Sequence, residues 1–327
     1  MQRFRFSPRH PITHVGFTAD GEIVTAQPHT GVAVRDRSSG EVRAKLDAPN
    51  SASFSHLLPH PTRPLVAVQC PKWCRVFDTR TGSFDTFDSH PGFAAVAVTP
   101  NGFRWFGVGY DGIGTVDCGI VTATGGTGTR RIPIRSTAAL VAVTPDARFG
   151  LGLRRATRPV LLDLNTGRVV AEVQSGLRAG RPRLVVASPD SSKLAVGTGD
   201  SLAVFDLTAV TADDCPADAA EDEPARKRKV LYPLFTLERP DPVAGRGTAA
   251  DRAAEVWLPP LAFDPAGRTL LTVGLRNRVR QIDAANGGAI TEWAWRADAV
   301  RSLAVAPDGL TAAAGCRLGE LLVWDLE

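Results

Sequence analysis

The chain has 327 residues, of which 43% are hydrophobic and 22% charged, and a formal net charge of +4; these values are ordinary for a soluble globular protein and exclude a disordered or fibrous chain. No apolar run approaches the ~20 residues that a membrane helix needs, and no apolar stretch follows the charged N-terminus as in a secretory signal, so we expect a cytoplasmic protein without membrane contact. The five cysteines are odd in number and scattered, which excludes a disulfide framework.

A short turn recurs along the chain. Pro presets the backbone for the first corner of a turn, and Asp, Asn or Gly suits the positions that follow. Turns of this composition occupy residues 18–21, 60–63, 99–102, 144–147, 188–191, 264–267 and 306–309. Seven occurrences indicate an internal repeat.

Each turn is followed by an apolar strand that ends in an aspartate. The aspartates are Asp36, Asp78, Asp117, Asp163, Asp206, Asp283 and Asp325, each 17 or 18 residues after the second residue of its turn. Successive aspartates are 42, 39, 46, 43, 77 and 42 residues apart. A period of about 40–45 residues with four short strands per unit is typical of a β-propeller, and the interval of 77 predicts an insertion.

Four strands can be identified in each unit. An apolar run such as 96–98 precedes the turn, a second such as 194–196 follows it, and the third ends in the aspartate. A glycine-containing hairpin turn, as at 38–40, then leads to a fourth strand such as 42–46. We therefore predict an all-β fold, a seven-bladed β-propeller, with residues 1–327 forming a single domain.

The last unit lacks a fourth strand, whereas the N-terminus has a spare one. Residues 2–6 alternate polar and apolar side chains, as a half-buried strand does. We predict that this strand pairs with the strand ending at Asp325 and completes the last blade, which removes an open sheet edge. With this overlap we expect the chain to be complete.

These units resemble the WD-repeat β-propeller family, and the resemblance covers nearly all of the chain. Only the last unit carries the Trp-Asp dipeptide, as Trp324-Asp325, and the family's hydrogen-bonded tetrad of Trp, Ser or Thr, His and Asp is complete in no blade. The resemblance implies that first strands line a central channel. It also implies that the loops before first strands and between second and third strands form the top face, the usual partner surface.

Arginines concentrate on the implied top face of blades 4 to 7. Arginine forms bidentate hydrogen bonds with carboxylate or phosphate, so this sector predicts an anionic partner. The alternative is a set of solvated charges in a chain where Arg outnumbers Lys 33 to 5. Two aromatic residues of neighbouring top loops are candidate anchors. The predicted partner-binding residues are Trp73, Tyr110, Arg154, Arg155, Arg158, Arg181, Arg183, Arg276, Arg278, Arg301 and Arg317.

Histidines and cysteines do not form a recognisable metal site. His14, His29, His56 and His90 map to the top of blades 1 to 3, but without a compact ligand spacing. Cys70 and Cys74 could bind a metal, cross-link a hairpin or remain idle thiols. We expect no metal and no cofactor.

Two insertions interrupt blade 5. Residues of about 209–229 contain six acidic residues and then a basic cluster, and few apolar residues accompany them. We place this segment in a third-to-fourth strand connection, with 230–237 as the delayed fourth strand. We expect the second insertion, about 238–256, to lie beside the arginine-rich sector.

The sequence favours a non-enzymatic scaffold that binds a protein or peptide partner through its top-face loops. A narrower version of this hypothesis is that the partner is acidic. We expect the propeller itself to be monomeric. The first alternative is a nucleic-acid-binding propeller that uses the arginine-rich sector, although aromatic stacking residues are sparse. The second is a propeller hydrolase, which would need convergent catalytic groups that the apolar channel strands do not supply.

Overall fold

The computed structural model describes a chain built from strands. It describes residues 1–6, 10–47, 54–70, 73–88, 93–99, 102–109, 112–119, 130–132, 139–154, 158–174, 184–198, 201–210, 229–238, 260–274, 277–295 and 297–327. The strands are β1 (Gln2–Arg5), β2 (His14–Phe17), β3 (Ile23–Gln27), β4 (Gly31–Arg35), β5 (Val42–Leu46), β6 (His56–Pro59), β7 (Leu65–Cys70), β8 (Trp73–Asp78), β9 (Phe84–Asp88), β10 (Phe93–Thr99), β11 (Gly102–Gly109), β12 (Gly112–Gly119), β13 (Arg130–Ile132), β14 (Ala139–Val143), β15 (Phe149–Arg154), β16 (Arg158–Asp163), β17 (Arg168–Val173), β18 (Leu184–Ala187), β19 (Lys193–Gly197), β20 (Ser201–Asp206), β21 (Lys229–Leu231), β22 (Pro233–Glu238), β23 (Leu261–Phe263), β24 (Thr269–Val273), β25 (Val279–Asp283), β26 (Ala289–Trp293), β27 (Val300–Val305), β28 (Thr311–Cys316) and β29 (Glu320–Asp325). Within these residues there is no helix with the length and hydropathy needed to cross a membrane.

The described strands form seven sheets, which we call blades. Blades 1, 2 and 3 are β2–β5, β6–β9 and β10–β13, and blade 4 is β14–β17 with β21 added. Blade 5 is β18, β19, β20 and β22, blade 6 is β23–β26, and blade 7 is β27, β28, β29 and β1. The first strand of each blade contacts the first strand of the next, and β27 contacts β2, so the blades close into a ring. The predicted all-β propeller is confirmed.

Five of the recurring turns share one geometry, those at 18–21, 144–147, 188–191, 264–267 and 306–309. In the turn 18–21 the amide of Gly21 donates to the carbonyl oxygen of Thr18 at 3.0 Å, and Gly21 has φ 78°. Ala147 and Ser191 occupy the same fourth position with φ 58° and 60°. A β-turn followed by one left-handed residue is a common three-residue hairpin connection. The turns therefore join the first and second strands of the blades.

The recurring aspartates organise the next turn. The Oδ1 atom of Asp36 accepts hydrogen bonds from the amides of Ser38 and Ser39 at 2.8 and 2.9 Å, and Oδ1 of Asp163 accepts equivalent bonds two and three residues on. Gly40 then adopts φ 73° and donates to the carbonyl oxygen of Asp36. Asp78, Asp206 and Asp283 accept equivalent bonds, so these aspartates satisfy backbone amides in the connection between the third and fourth strands.

The hydrophobic core lies between the blades. The described buried residues form seven clusters, and each joins two neighbouring blades. Between blades 6 and 7, Trp324 packs against Trp295 and Trp293, with ring centroids 4.6 and 5.8 Å away. The Nε1 atom of Trp324 is buried without a hydrogen-bond partner among the described residues, so this tryptophan contributes packing rather than a polar network.

The chain between β20 and β22 contains an additional strand, β21, that the sequence did not predict. Lys229–Leu231 pairs in parallel with the outer strand of blade 4, where Leu231 lies beside Val173, and only Pro233–Glu238 forms the fourth strand of blade 5. The prediction of a delayed fourth strand over 230–237 is therefore confirmed for 233–237 and wrong for 230–231, which belong to β21. Leu231 explains the change, because its side chain is buried in the cluster shared by blades 4 and 5. Residues 211–228 and 239–256 of the predicted insertions lie outside the described residues.

The N-terminal strand closes the ring as predicted. β1 pairs antiparallel with β29, with Gln2 opposite Val323 and Arg5 opposite Glu320. The carboxylate of Glu320, whose side chain is only 6% exposed, accepts hydrogen bonds from Nε of Arg3 at 2.5 Å and of Arg5 at 3.0 Å. The chain after β1 extends this contact to blade 1, where the guanidinium carbon of Arg35 lies 3.5 Å from the ring centroid of Phe6.

We expect Glu320→Gln to lower the free energy of unfolding by about 1–3 kcal/mol, because a buried carboxylate loses two charge-assisted hydrogen bonds. The hydrogen bond from Arg3 lowers the pKa of Glu320 in the folded state. Its contribution is therefore present at neutral pH and is lost as the pH falls through that lowered pKa. Urea unfolding at pH 7 and pH 3 measures the difference. Exposed Glu41→Gln is the control, and equal losses for both variants would contradict this account.

Two histidines lie at equivalent positions of neighbouring blades, as the first residues of β2 and β6. Burial, with a smaller contribution from the charge of His56, lowers the pKa of His14 to about 4. Burial also lowers the pKa of His56. Both imidazoles are therefore neutral in the folded protein at neutral pH.

We expect the protein to lose stability as the pH falls from 6.5 to 4, because the unfolded chain binds a proton at His14 before the folded chain does. The loss from His14 is about 2–3 kcal/mol, by the shift of its pKa from 6.5 to about 4. His14→Gln should flatten the dependence of the urea midpoint on pH in this range. An unaltered slope in His14→Gln would disprove the assignment.

Candidate functional site

The best-described part of the predicted arginine-rich sector lies where blades 6 and 7 meet. Arg278 is in the connection between β24 and β25, and Arg317 is in the connection between β28 and β29, as the sequence predicted. Their side chains are 44% and 57% exposed. We call the group formed by Arg278, Arg280, Glu292, Asp298, Arg301 and Arg317 the blade 6–7 charged surface.

Two arginines of this surface share one carboxylate. Nη1 of Arg278 donates to Oε1 of Glu292 at 2.6 Å, and Nε of Arg280 donates to Oε2 at 2.5 Å. Cross-strand pairing positions the second contact, because Arg280 lies opposite Glu292 in the register of β25 and β26. The hydrogen bond from Arg278 is the main cause that lowers the pKa of Glu292. The sequence prediction missed Glu292, because it considered acidic residues of the loops and not of the outer strand.

The second half of the surface is fixed by an asparagine. Asn277 adopts φ 59°, and its Nδ2 donates to the carbonyl oxygen of Asp298 at 2.8 Å while its Oδ1 accepts from the amide of Val300 at 2.8 Å. Nη2 of Arg317 then donates to the Asp298 carboxylate at 3.1 Å. Asn277 thus ties the loop of blade 6 to the approach to β27 and holds Asp298 beside Arg317.

The blade 6–7 charged surface keeps an excess of positive charge. Its four arginines face two carboxylates, and exposed Arg301 has no ion-pair partner within the described part of the chain. Leu318, next to Arg317, is 54% exposed. Ion pairs at such exposure contribute only about 0–1 kcal/mol each, so a carboxylate of a partner can replace Glu292 or Asp298 at small cost.

The structure describes the other predicted partner-binding residues to different extents. Arg158 is exposed at the start of β16. Trp73 begins β8 opposite Cys70, and Arg154 ends β15 opposite Arg158, each at the connection between the second and third strands of its blade. Outside the described residues lie Tyr110, Arg155, Arg181, Arg183 and Arg276. Contacts of Asn277 and Asp298 therefore link the loops that carry Arg278 and Arg317, and Arg301 follows Val300, to which Asn277 bonds, on β27.

Metal-ligating and nucleophilic groups do not converge in the described residues. No group of three or more His, Cys, Asp or Glu side chains among them could hold a metal ion. Cys70 and Cys316 are free and buried, and burial raises the pKa of each thiol to about 12. A thiol of that pKa is not a nucleophile at neutral pH. His90 lies outside the described residues.

A large polar groove that the sequence prediction missed lies on the opposite, bottom face. It has a volume of about 1090 Å³ and is lined by the turns of blades 1, 2 and 7. Arg37 crosses from blade 1 to Asp308 of blade 7 at 3.1 Å, and Arg43 pairs with both Glu22 and Asp36. The pair of Arg37 and Asp308 joins blades 1 and 7, whereas Arg43 pairs within blade 1, so the groove lies at the seam that closes the ring.

Comparisons with known proteins agree with the ring of blades. No family model matches the chain, and no curated protein matches it. The β-propeller domain of Cps50 (Swd1) from Myceliophteria thermophila superposes with a TM-score of 0.69 at 14% identity, covering 100% of both chains. A chain of the mitotic checkpoint complex superposes with a TM-score of 0.67 at 13% identity, covering 99% of this chain and 91% of that one.

These identities establish the fold and nothing finer. Both similarities run over essentially the whole chain, so the ring is not a fragment match. The resemblance to WD-repeat propellers that the turn and aspartate spacing predicted is confirmed at the level of architecture: the chain has the β-propeller fold.

Proposed function

We propose that this protein is a non-enzymatic scaffold that binds an acidic protein segment through the loops at the top of its ring. The observation that supports this most is the blade 6–7 charged surface, where three arginines pair with two carboxylates, exposed Arg301 adds a further charge, and Arg278 and Arg317 lie on loops of a rigid fold. Binding residues concentrate on loops that a rigid scaffold positions. Arginine is also enriched among the residues that dominate interface energies.

The chemistry of the surface fits an acidic chain. Guanidinium groups make bidentate hydrogen bonds with carboxylates, and exposed Leu318 beside Arg317 offers an apolar contact next to the charges. Asn277 holds the backbone of both blades in place, so the arginine side chains can exchange partners without a change of the ring. A non-catalytic role is consistent with thiols of raised pKa and with the absence of a metal-ligating group among the described residues.

We expect the variant Arg278→Ser, Arg301→Ser, Arg317→Ser to lose its partner, because it removes the three arginines that the loops and β27 present together. Protein captured from native lysate by tagged wild type should fall at least about tenfold with this variant. The matched control is Lys45→Ser, Arg80→Ser, Arg148→Ser, which removes the same charge from exposed residues outside this surface. An equal loss in both variants would show that net charge, and not this surface, governs binding.

Treatment of the lysate with nuclease distinguishes a protein partner from a nucleic acid, which is the partner in the alternative function. Capture that persists after nuclease and weakens with salt supports an acidic protein partner, because exposed charges are screened. Capture that disappears with nuclease contradicts the proposal and supports a nucleic-acid-binding propeller, whose affinity for DNA should fall steeply with salt concentration.

A further inference from the structure

Seams between blades are covered by the turn that joins the third and fourth strands. The turn of blade 6 approaches blade 5 so closely that a Cβ atom on Gly287 would lie 2.6 Å from the ring of Phe235. The turn of blade 1 approaches blade 7 in the same way, with Gly40 against Phe4. In both seams the turn of one blade packs against the outer strand of the blade before it.

The seam between blades 4 and 5 is covered by the chain in another way. Val170, on the outer strand β17, is 1% exposed because Leu207, Val210 and Leu231 belong to the same buried cluster. Leu207 and Val210 follow β20, and Leu231 comes from the added strand β21. This seam shows what fills the position when the chain itself supplies the cover: aliphatic side chains and one parallel strand on the blade edge.

The seam between blades 6 and 7 has the same strand registers as the seam between blades 4 and 5. Among the described residues, however, no segment packs over its outer strand as Leu207, Val210 and β21 do over β17. Outer strands β17 and β26 have matching registers, with a bulge at Val170 in one and at Ile290 in the other. The amide of Leu326 donates to the carbonyl of Leu310 at 2.8 Å, as Leu207 does to Ser192. Blade 7, however, has no third-to-fourth turn among the described residues, because its fourth strand is β1.

An open groove results at that position. Its volume is about 550 Å³, and Ile290, Leu310 and Leu326 line it together with Gln281 and Thr269. Ile290 is 54% exposed and Leu310 is 52% exposed, whereas the equivalent Val170 is buried. The outer edge of β26 has no paired strand among the described residues, although the edge of β17 carries β21.

We propose that this groove binds an extended apolar segment of a protein partner, which adds as a strand to the edge of β26 and inserts an aliphatic side chain between Ile290 and Leu310. The choice of occupant rests on the seam between blades 4 and 5, where β21 and its leucine perform the same task within the chain. Strand addition gives affinity through backbone hydrogen bonds, and side-chain pockets give selectivity. The groove contains none of the arginines of the blade 6–7 charged surface, although β26 contributes Ile290 to the groove and Glu292 to that surface, and it would be a second docking site.

A library of random 12-residue peptides displayed on phage tests the proposal without knowledge of the partner. Peptides selected on the full chain should contain an aliphatic residue and bind at least about tenfold more weakly to Ile290→Asp and to Leu310→Asp. Val42→Asp is the matched control, because Val42 is 49% exposed on the outer strand of blade 1. Hydrogen exchange should slow at amides of Ala289–Trp293 when a selected peptide is bound.

Peptides that bind all three variants as they bind the wild type would overturn the proposal. So would a dimer in sedimentation that Ile290→Asp converts to a monomer, because a second copy would then be the occupant. Melting temperatures close to the wild-type value confirm that each variant is folded, as expected for substitutions at exposed positions. The variant lacking Arg278, Arg301 and Arg317 should still bind the selected peptides, so failure of either proposed site leaves the other one testable.

Discussion

The closure of the ring by β1 is the constraint on which the rest of the structure depends. Every blade is apolar on both faces, and each of the seven described clusters needs two blades to exist. The apolar faces of all the blades are buried only if blade 7 is complete. The outer strand of blade 7 is β1, which is far in sequence from its other three strands. The carboxylate of Glu320 fixes this strand by bonding Arg3 and Arg5, so one buried charge lies at the joint of the whole ring.

The blade 6–7 charged surface combines a rigid frame with exchangeable contacts. Asn277 bonds to the backbone on the approach to blade 7, which is costly to disturb, whereas the ion pairs of Arg278 and Arg317 are exposed and contribute little. A surface of this kind can hold its loops in place while its charges change partners. That property is useful for a scaffold and is of no direct use for catalysis, which requires fixed reacting groups.

The repeated architecture makes the irregular seams informative. Because β17 and β26 share a register and a bulge position, Val170 and Ile290 can be compared directly within one molecule. One is buried by residues that the chain supplies, and the other is exposed in a groove. The difference follows from topology: blade 5 has a chain segment between its third and fourth strands, and in blade 7 the two strands come from opposite ends of the sequence.

The sequence alone determined the repeating unit and the number of units, because these depend on local chemistry, and it indicated the closure, because the last unit lacks a strand that residues 2–6 can supply. A turn such as 18–21 and an aspartate such as Asp36 act within four residues of themselves, so their spacing can be read without knowledge of the rest of the chain. Tertiary structure decided which residues meet across the blades. Glu320 lies more than 300 residues from Arg3, Glu292 meets Arg278 only through the pairing of β25 and β26, and β21 joins blade 4 rather than blade 5. No local pattern encodes such contacts, because they depend on strand register and on which apolar face remains uncovered once the ring has formed.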